Sequence, residues 1–124
     1  MMSDSQTTTS PTVHDVTDRT STELRRHVLV ADARKRSRDA LRVRLRGSGY
    51  HVTVARTGFE TIVKTCCQMP DLVLLDESLG DTEIAETSRL LATCPVTAHI
   101  PVVRLGAGRR VPQRVLTRLQ RAAL

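Results

Sequence analysis

Pro70-Asp71-Leu72-Val73-Leu74-Leu75-Asp76 decides the fold. An apolar run this short, opened by proline and closed by an acid, suits a strand buried on both faces, as in a parallel sheet covered by helices. His27-Val28-Leu29-Val30-Ala31 has the same character and stops at Asp32. His51-Val52-Thr53-Val54-Ala55 is rich in β-branched residues and reads as another strand. Pro101-Val102-Val103-Arg104-Leu105 reads as a fourth.

Helical patterns fill the gaps between these runs. Residues 34–46 place Ala40, Leu41 and Leu45 on one side, with Gly47 and Gly49 as the stop. Thr57-Gly58-Phe59-Glu60 has the spacing of a capping box. Phe59, Ile62, Val63, Cys66 and Cys67 then recur at helical spacing, which predicts an apolar stripe turned to the core and cysteines that pack rather than react. A helix at about 82–92 is expected to turn Ile84, Ala85, Leu90 and Leu91 inward, and a last one at 111–123 to use Val115, Leu116, Leu119 and Ala123. Strands alternating with helices predict an α/β fold, a flavodoxin-like, doubly wound parallel sheet of about four strands in the order 2-1-3-4. No fifth strand is legible before Leu124.

Composition sets the outer limits. The chain has 124 residues, the size of one domain. Eleven of the first 22 residues are Ser or Thr and few are large and apolar. Such a segment does not bury enough surface to offset its ordering entropy, so residues 1–24 are expected to be a disordered tail ahead of a domain spanning 25–124. The net charge of +6 is uneven: seven basic residues fall within 34–46, and Arg109, Arg110, Arg114, Arg118 and Arg121 form a second group. Nucleic acid, an acidic surface and plain solvated helix faces all fit such runs. Nucleic acid ranks last, because aromatics are only 2% of the chain and no reading head is visible. No run of about 18 apolar residues exists, so no membrane insertion is expected. Three cysteines, two of them adjacent, make no disulfide framework, and with no secretory pattern the expected location is the cytoplasm. No P-loop, GxGxxG or Ser/His/Asp array is present, so an independent enzyme is not expected.

Asp32 and Asp76 end the first and third strands, and in a parallel sheet ligand sites form beyond the carboxyl ends of strands. Two carboxylates brought together repel, and a hard cation such as Mg²⁺ relieves this through oxygen ligands. A carboxylate is also a nucleophile toward phosphorus. The pair therefore reads either as a metal-assisted phosphoryl acceptor or as two acids that merely cap strand ends.

Taken together and in order, these pieces resemble the receiver domain of bacterial two-component response regulators, over about residues 26–107. Val28-Leu29-Val30-Ala31-Asp32, Gly49-Tyr50-His51-Val52, Ala55 to Glu60, Pro70 to Asp76 and Thr97 to Val103 each look like the corresponding piece of that family. The resemblance implies Asp76 as the acceptor of a phosphoryl group from a sensor histidine kinase. It also implies Mg²⁺ organised by Asp32, Asp76 and the backbone carbonyl of Ser78, whose side chain then matters less. Three departures stand out. Ala33 replaces the family's second acid and should weaken the ion. Gly106 replaces the hydroxyl residue ending the fourth strand. No lysine is available for the phosphate, since Lys35 and Lys64 fall on helices; Arg104, Arg109 or Arg110 is the candidate substitute cation. Two functions follow as expectations. One is a stand-alone receiver in a phosphorelay, with a sensor kinase or other signalling protein, or a second copy of the chain, as partner. The other is a degenerate pseudo-receiver that binds partners without phosphorylation.

Overall fold

A computed structural model describes residues 26–106. The expected tail at 1–24, the helix at 111–123 and Arg109, Arg110, Arg114, Arg118 and Arg121 lie outside the described residues. Strand β1 (His27–Ala31) is followed by helix α1 (Lys35–Gly47), β2 (His51–Ala55), α2 (Gly58–Gln68), β3 (Leu72–Asp76), a 3-10 turn (Glu77–Leu79), α3 (Asp81–Thr93) and β4 (Val102–Leu105). All three strand pairings are parallel, in the order β2-β1-β3-β4. This is the topology expected from the sequence.

The strands form where the apolar runs lie because both of their faces are covered. Val28 through Ala31 and Leu72 through Leu75 are essentially fully buried. Alternate side chains go to opposite faces. Val28, Val30, Leu72 and Leu74 meet Leu41 and Leu45 of α1 together with Tyr50. Leu29, Ala31, Val73 and Leu75 meet Leu79, Ile84, Leu91 and Ile100 on the other side. Each buried Leu or Val contributes about 1.5–3 kcal/mol relative to exposure. The turn from α1 into β2 uses Gly49 at φ +96, a left-handed conformation that favours glycine.

The helix faces differ from expectation in three places. In α1, Ala40 is exposed and Arg38 is buried in its stead. The Arg38 guanidinium donates to the backbone carbonyl of Asp32 at 2.9 Å, so a cation belongs on the inner face at this level of the sheet. In α3, Ala85 and Leu90 face outward, and Thr87 is buried with Ile84 and Leu91.

In α2 the predicted stripe is wrong. Phe59 is 77% exposed, Val63 is 44% exposed, and Cys66 and Cys67 are exposed; only Ile62 of that set is partly buried. The inner face is Gly58, Thr61 and Thr65. The cause is close helix–helix approach: a Cβ built on Gly58 would fall 2.2 Å from Thr87 Oγ1 and 2.9 Å from Glu83 Cγ of α3. Small residues must therefore face inward, whatever the apolar periodicity. Thr61 turns its hydroxyl back to the Thr57 carbonyl at 2.7 Å, which satisfies it inside the core. The predicted capping box is half realised. Thr57 Oγ1 accepts from the Glu60 amide at 3.0 Å, but Glu60 reaches the amide of Arg56 rather than that of Thr57. Phe59, Ile62, Leu79 and Leu90 are left lining an open groove between α2 and α3.

Candidate functional site

The site lies at the carboxyl edge of the two central strands. β1 and β3 are hydrogen-bonded neighbours with Ala31 opposite Leu75, so the residues that follow, Asp32 and Asp76, come to one rim. Asp32 extends the sheet by one step, its amide donating to the Ala55 carbonyl at 3.0 Å. Both acids are buried, at 0% and 1% exposure. The expected convergence of Asp32 and Asp76 is therefore present, and Ser78 lies between them.

Ser78 does more than expected of it. Its hydroxyl donates to Asp32 Oδ1 at 2.8 Å and accepts from the Ala33 amide at 3.0 Å. Its amide donates to Asp76 Oδ2 at 2.9 Å, which makes Asp76 the cap of the 3-10 turn. A hydroxyl can act as donor and acceptor at once, so one serine joins the loops after β1 and β3. The side chain, and not only the backbone, shapes the site.

Among the described residues, the cation at the acid pair is Arg34. Its amide donates to Asp32 Oδ1 at 2.9 Å, closing a turn two residues long. Its guanidinium lies 3.4 Å from Asp76 Oδ2 through Nη2 and 4.0 Å from Asp32 Oδ1 through Nε. The expected substitute cation Arg104 is engaged elsewhere, with Asp81 at 2.6 Å. Both lysines are occupied too: Lys35 pairs with Asp39 at 2.9 Å, and Lys64 donates to the Val54 carbonyl at 2.7 Å. Sequence reading missed Arg34 because it is one of seven basic residues in a short run. Its position two residues after Asp32, where an Asx-type turn folds it back, was the available signal.

A divalent ion of the kind the resemblance implies would draw on Asp32, Asp76 and the Ser78 carbonyl. As they stand, these residues do not fit it. Asp32 Oδ1 and Asp76 Oδ2 are both filled by protein donors, and Ala33 offers a methyl group where a third carboxylate would help. Among the described residues, no group of three or more His, Cys, Asp or Glu side chains is placed to hold a metal. One oxygen stands apart: Asp32 Oδ2 is buried and has no hydrogen-bond partner among the described residues. At the rim beyond β4, Leu105 pairs with Asp76 and is followed by Gly106, which carries no hydroxyl to direct at the site.

No family model matches the chain, and a search of curated proteins finds no match. Solved structures do match. The chain is similar to the N-terminal domain of a response regulator receiver protein from Methanoculleus marisnigri JR1. It is 31% identical to that domain over 73% of this chain and 74% of that one, with a TM-score of 0.62. It also shares its fold with the signal receiver domain of a signal transduction histidine kinase from Syntrophus aciditrophicus (18% identity, 77% of this chain and 90% of that one, TM-score 0.67). A chemotaxis response regulator of Vibrio cholerae gives a TM-score of 0.62 at 19% identity, over 80% of each chain.

Proposed function

Because this chain belongs to the receiver-domain family of response regulators, we propose that it accepts a phosphoryl group on Asp76 within a two-component phosphorelay. The observation that carries the reading is the placement of Asp76 at the carboxyl end of β3, beside buried Asp32 and within reach of a guanidinium. A carboxylate oxygen of Asp76 attacks the phosphorus of a phosphohistidine on a partner kinase. The new O–P bond forms as the P–N bond breaks, and the electron pair leaves with the imidazole, which takes up a proton. The Arg34 guanidinium and the Ser78 amide stand where they favour negative charge at Asp76 and on an incoming phosphoryl group. The domain modifies itself rather than turning over a substrate pool, so its output is a changed surface for a kinase or another signalling protein. We place this work in the cytoplasm, where such kinases present their phosphohistidine; among the described residues no helix is long and apolar enough to cross a membrane.

A second reading is supported by Ala33 and Gly106, which remove a carboxylate and a hydroxyl from the rim. In it the chain is a pseudo-receiver that binds partners without being phosphorylated. Incubation with acetyl phosphate separates the two. A mass gain of one phosphoryl group on the wild type and none on Asp76→Asn supports the first. No gain on either supports the second. Equal gain on both removes Asp76 as the acceptor.

A further inference from the structure

Asp76 is nearly inaccessible as it stands, its side chain 2% exposed, whereas Arg34 beside it is 51% exposed. The cation paired with this buried acid is thus itself half in solvent. Guanidinium contacts of 3.4 and 4.0 Å are long for a locked pair, and an exposed arginine is free to leave by rotation about its own stem. Asp32 Oδ2 is a buried carboxylate oxygen with no donor among the described residues. Such an atom is costly to leave unsatisfied. The acid pair thus has one oxygen with no donor among the described residues and one half-exposed cation.

We propose that Arg34 is the resident counter-ion of this acid pair and fills the role a divalent cation would otherwise have, so that the pair does not fit Mg²⁺ while Arg34 is present. The inference rests on the reading of Asp32 and Asp76 as a receiver site and names the residue that regulates it. The charges decide the competition. Two carboxylates carry −2, and Arg34 returns +1 to them. Arg38 adds another positive group just behind, on the Asp32 carbonyl. A divalent ion entering alongside Arg34 meets like charge and finds no third carboxylate at Ala33, so it binds weakly. With Arg34 gone, the two carboxylates lose the guanidinium that lies against them, and an added cation meets one positive charge fewer.

The test is a Mg²⁺ titration of the full chain at constant ionic strength, followed by backbone amide shifts at residues 32–34 and 76–78 and by thermal unfolding. Wild type, Arg34→Ala and Arg34→Lys are compared. Arg34→Ala is expected to bind Mg²⁺ about tenfold or more tightly than wild type. It should melt below wild type without the ion and recover on adding it, while the wild-type melt stays put. Arg34→Lys keeps a charge at the site and should stay close to wild type. Equal Mg²⁺ affinity in wild type and Arg34→Ala, or the same gain in Arg34→Lys as in Arg34→Ala, overturns the proposal. Neither readout requires phosphoryl transfer. A chain that shows the Arg34 effect but takes no phosphoryl group keeps this inference and loses the functional reading; the reverse result does the opposite.

Discussion

The Ser78 hydroxyl donates to Asp32 Oδ1 at 2.8 Å across 46 residues of sequence. It is a side-chain bond between the loop after β1 and the loop after β3. Ser78→Ala removes the donor to a buried carboxylate and also the acceptor of the Ala33 amide. Hydrogen bonds to charged groups contribute about 1.5–3 kcal/mol, so the variant should lose about that much in urea unfolding, and Ser78→Thr should keep most of it. An unchanged midpoint in Ser78→Ala would mean that the backbone alone holds the two loops.

Gly58 is the point where α2 touches α3. The Gly58 amide donates to Glu83 Oε2, and an added methyl would collide with Thr87 Oγ1. Gly58→Ala should destabilise by about 1–3 kcal/mol through overpacking. Pairing it with Thr87→Ala, which removes the nearest colliding atom, should recover part of the loss. A double variant no better than the sum of the two singles would place the strain elsewhere.

Phe59 offers the complementary check on the orientation of α2. At 77% exposure it contributes little packing, so Phe59→Ala should shift stability by no more than about 0.5 kcal/mol. Leu74→Ala, at a fully buried position, should cost about 2–5 kcal/mol. Comparable losses in chemical denaturation would restore the inward stripe that periodicity predicted.

His27 sets a pH dependence remote from the acid pair. Burial pushes its pKa below the usual 6.5, the ring of His51 adds to this, and Asp71 opposes it. The two rings lie 4.5 Å apart, and His27 Nε2 shares a 2.7 Å hydrogen bond with Thr53 Oγ1. Above pH 6.5 the group is neutral in both folded and unfolded chains and adds no slope. As pH falls below that value, the unfolded chain takes up the proton first, so stability drops until the folded form titrates as well. His27→Asn should flatten the stability curve in that interval, and NMR titration should place the His27 midpoint below that of a free histidine. A midpoint at 6.5 would remove the effect, and one above it would reverse the sign.

Strand order and the meeting of Asp32 with Asp76 were legible because both follow from short apolar runs ending in acids, and a parallel sheet aligns such ends. The inward faces of α2 and α3 were not. Phe59, Val63, Leu90 and the cysteines match a helical stripe in spacing, yet the close contact at Gly58 and Thr87 chooses Thr61 and Thr65 instead. A tertiary approach between helices leaves no mark on periodicity. Arg34 was hidden for a different reason: charge runs carry no information about which member folds back on an acid, and Arg104, the nearer guess by position in the sheet, is taken by Asp81.

The most direct test is chemical location of the phosphoryl group. After exposure to acetyl phosphate, borohydride reduction converts a phosphorylated aspartate to homoserine, which peptide mass spectrometry then places in the chain. Homoserine at position 76, and at no other acid, is the predicted result. Homoserine at position 32 or elsewhere, or none at position 76 under conditions that modify an active receiver, would contradict the account.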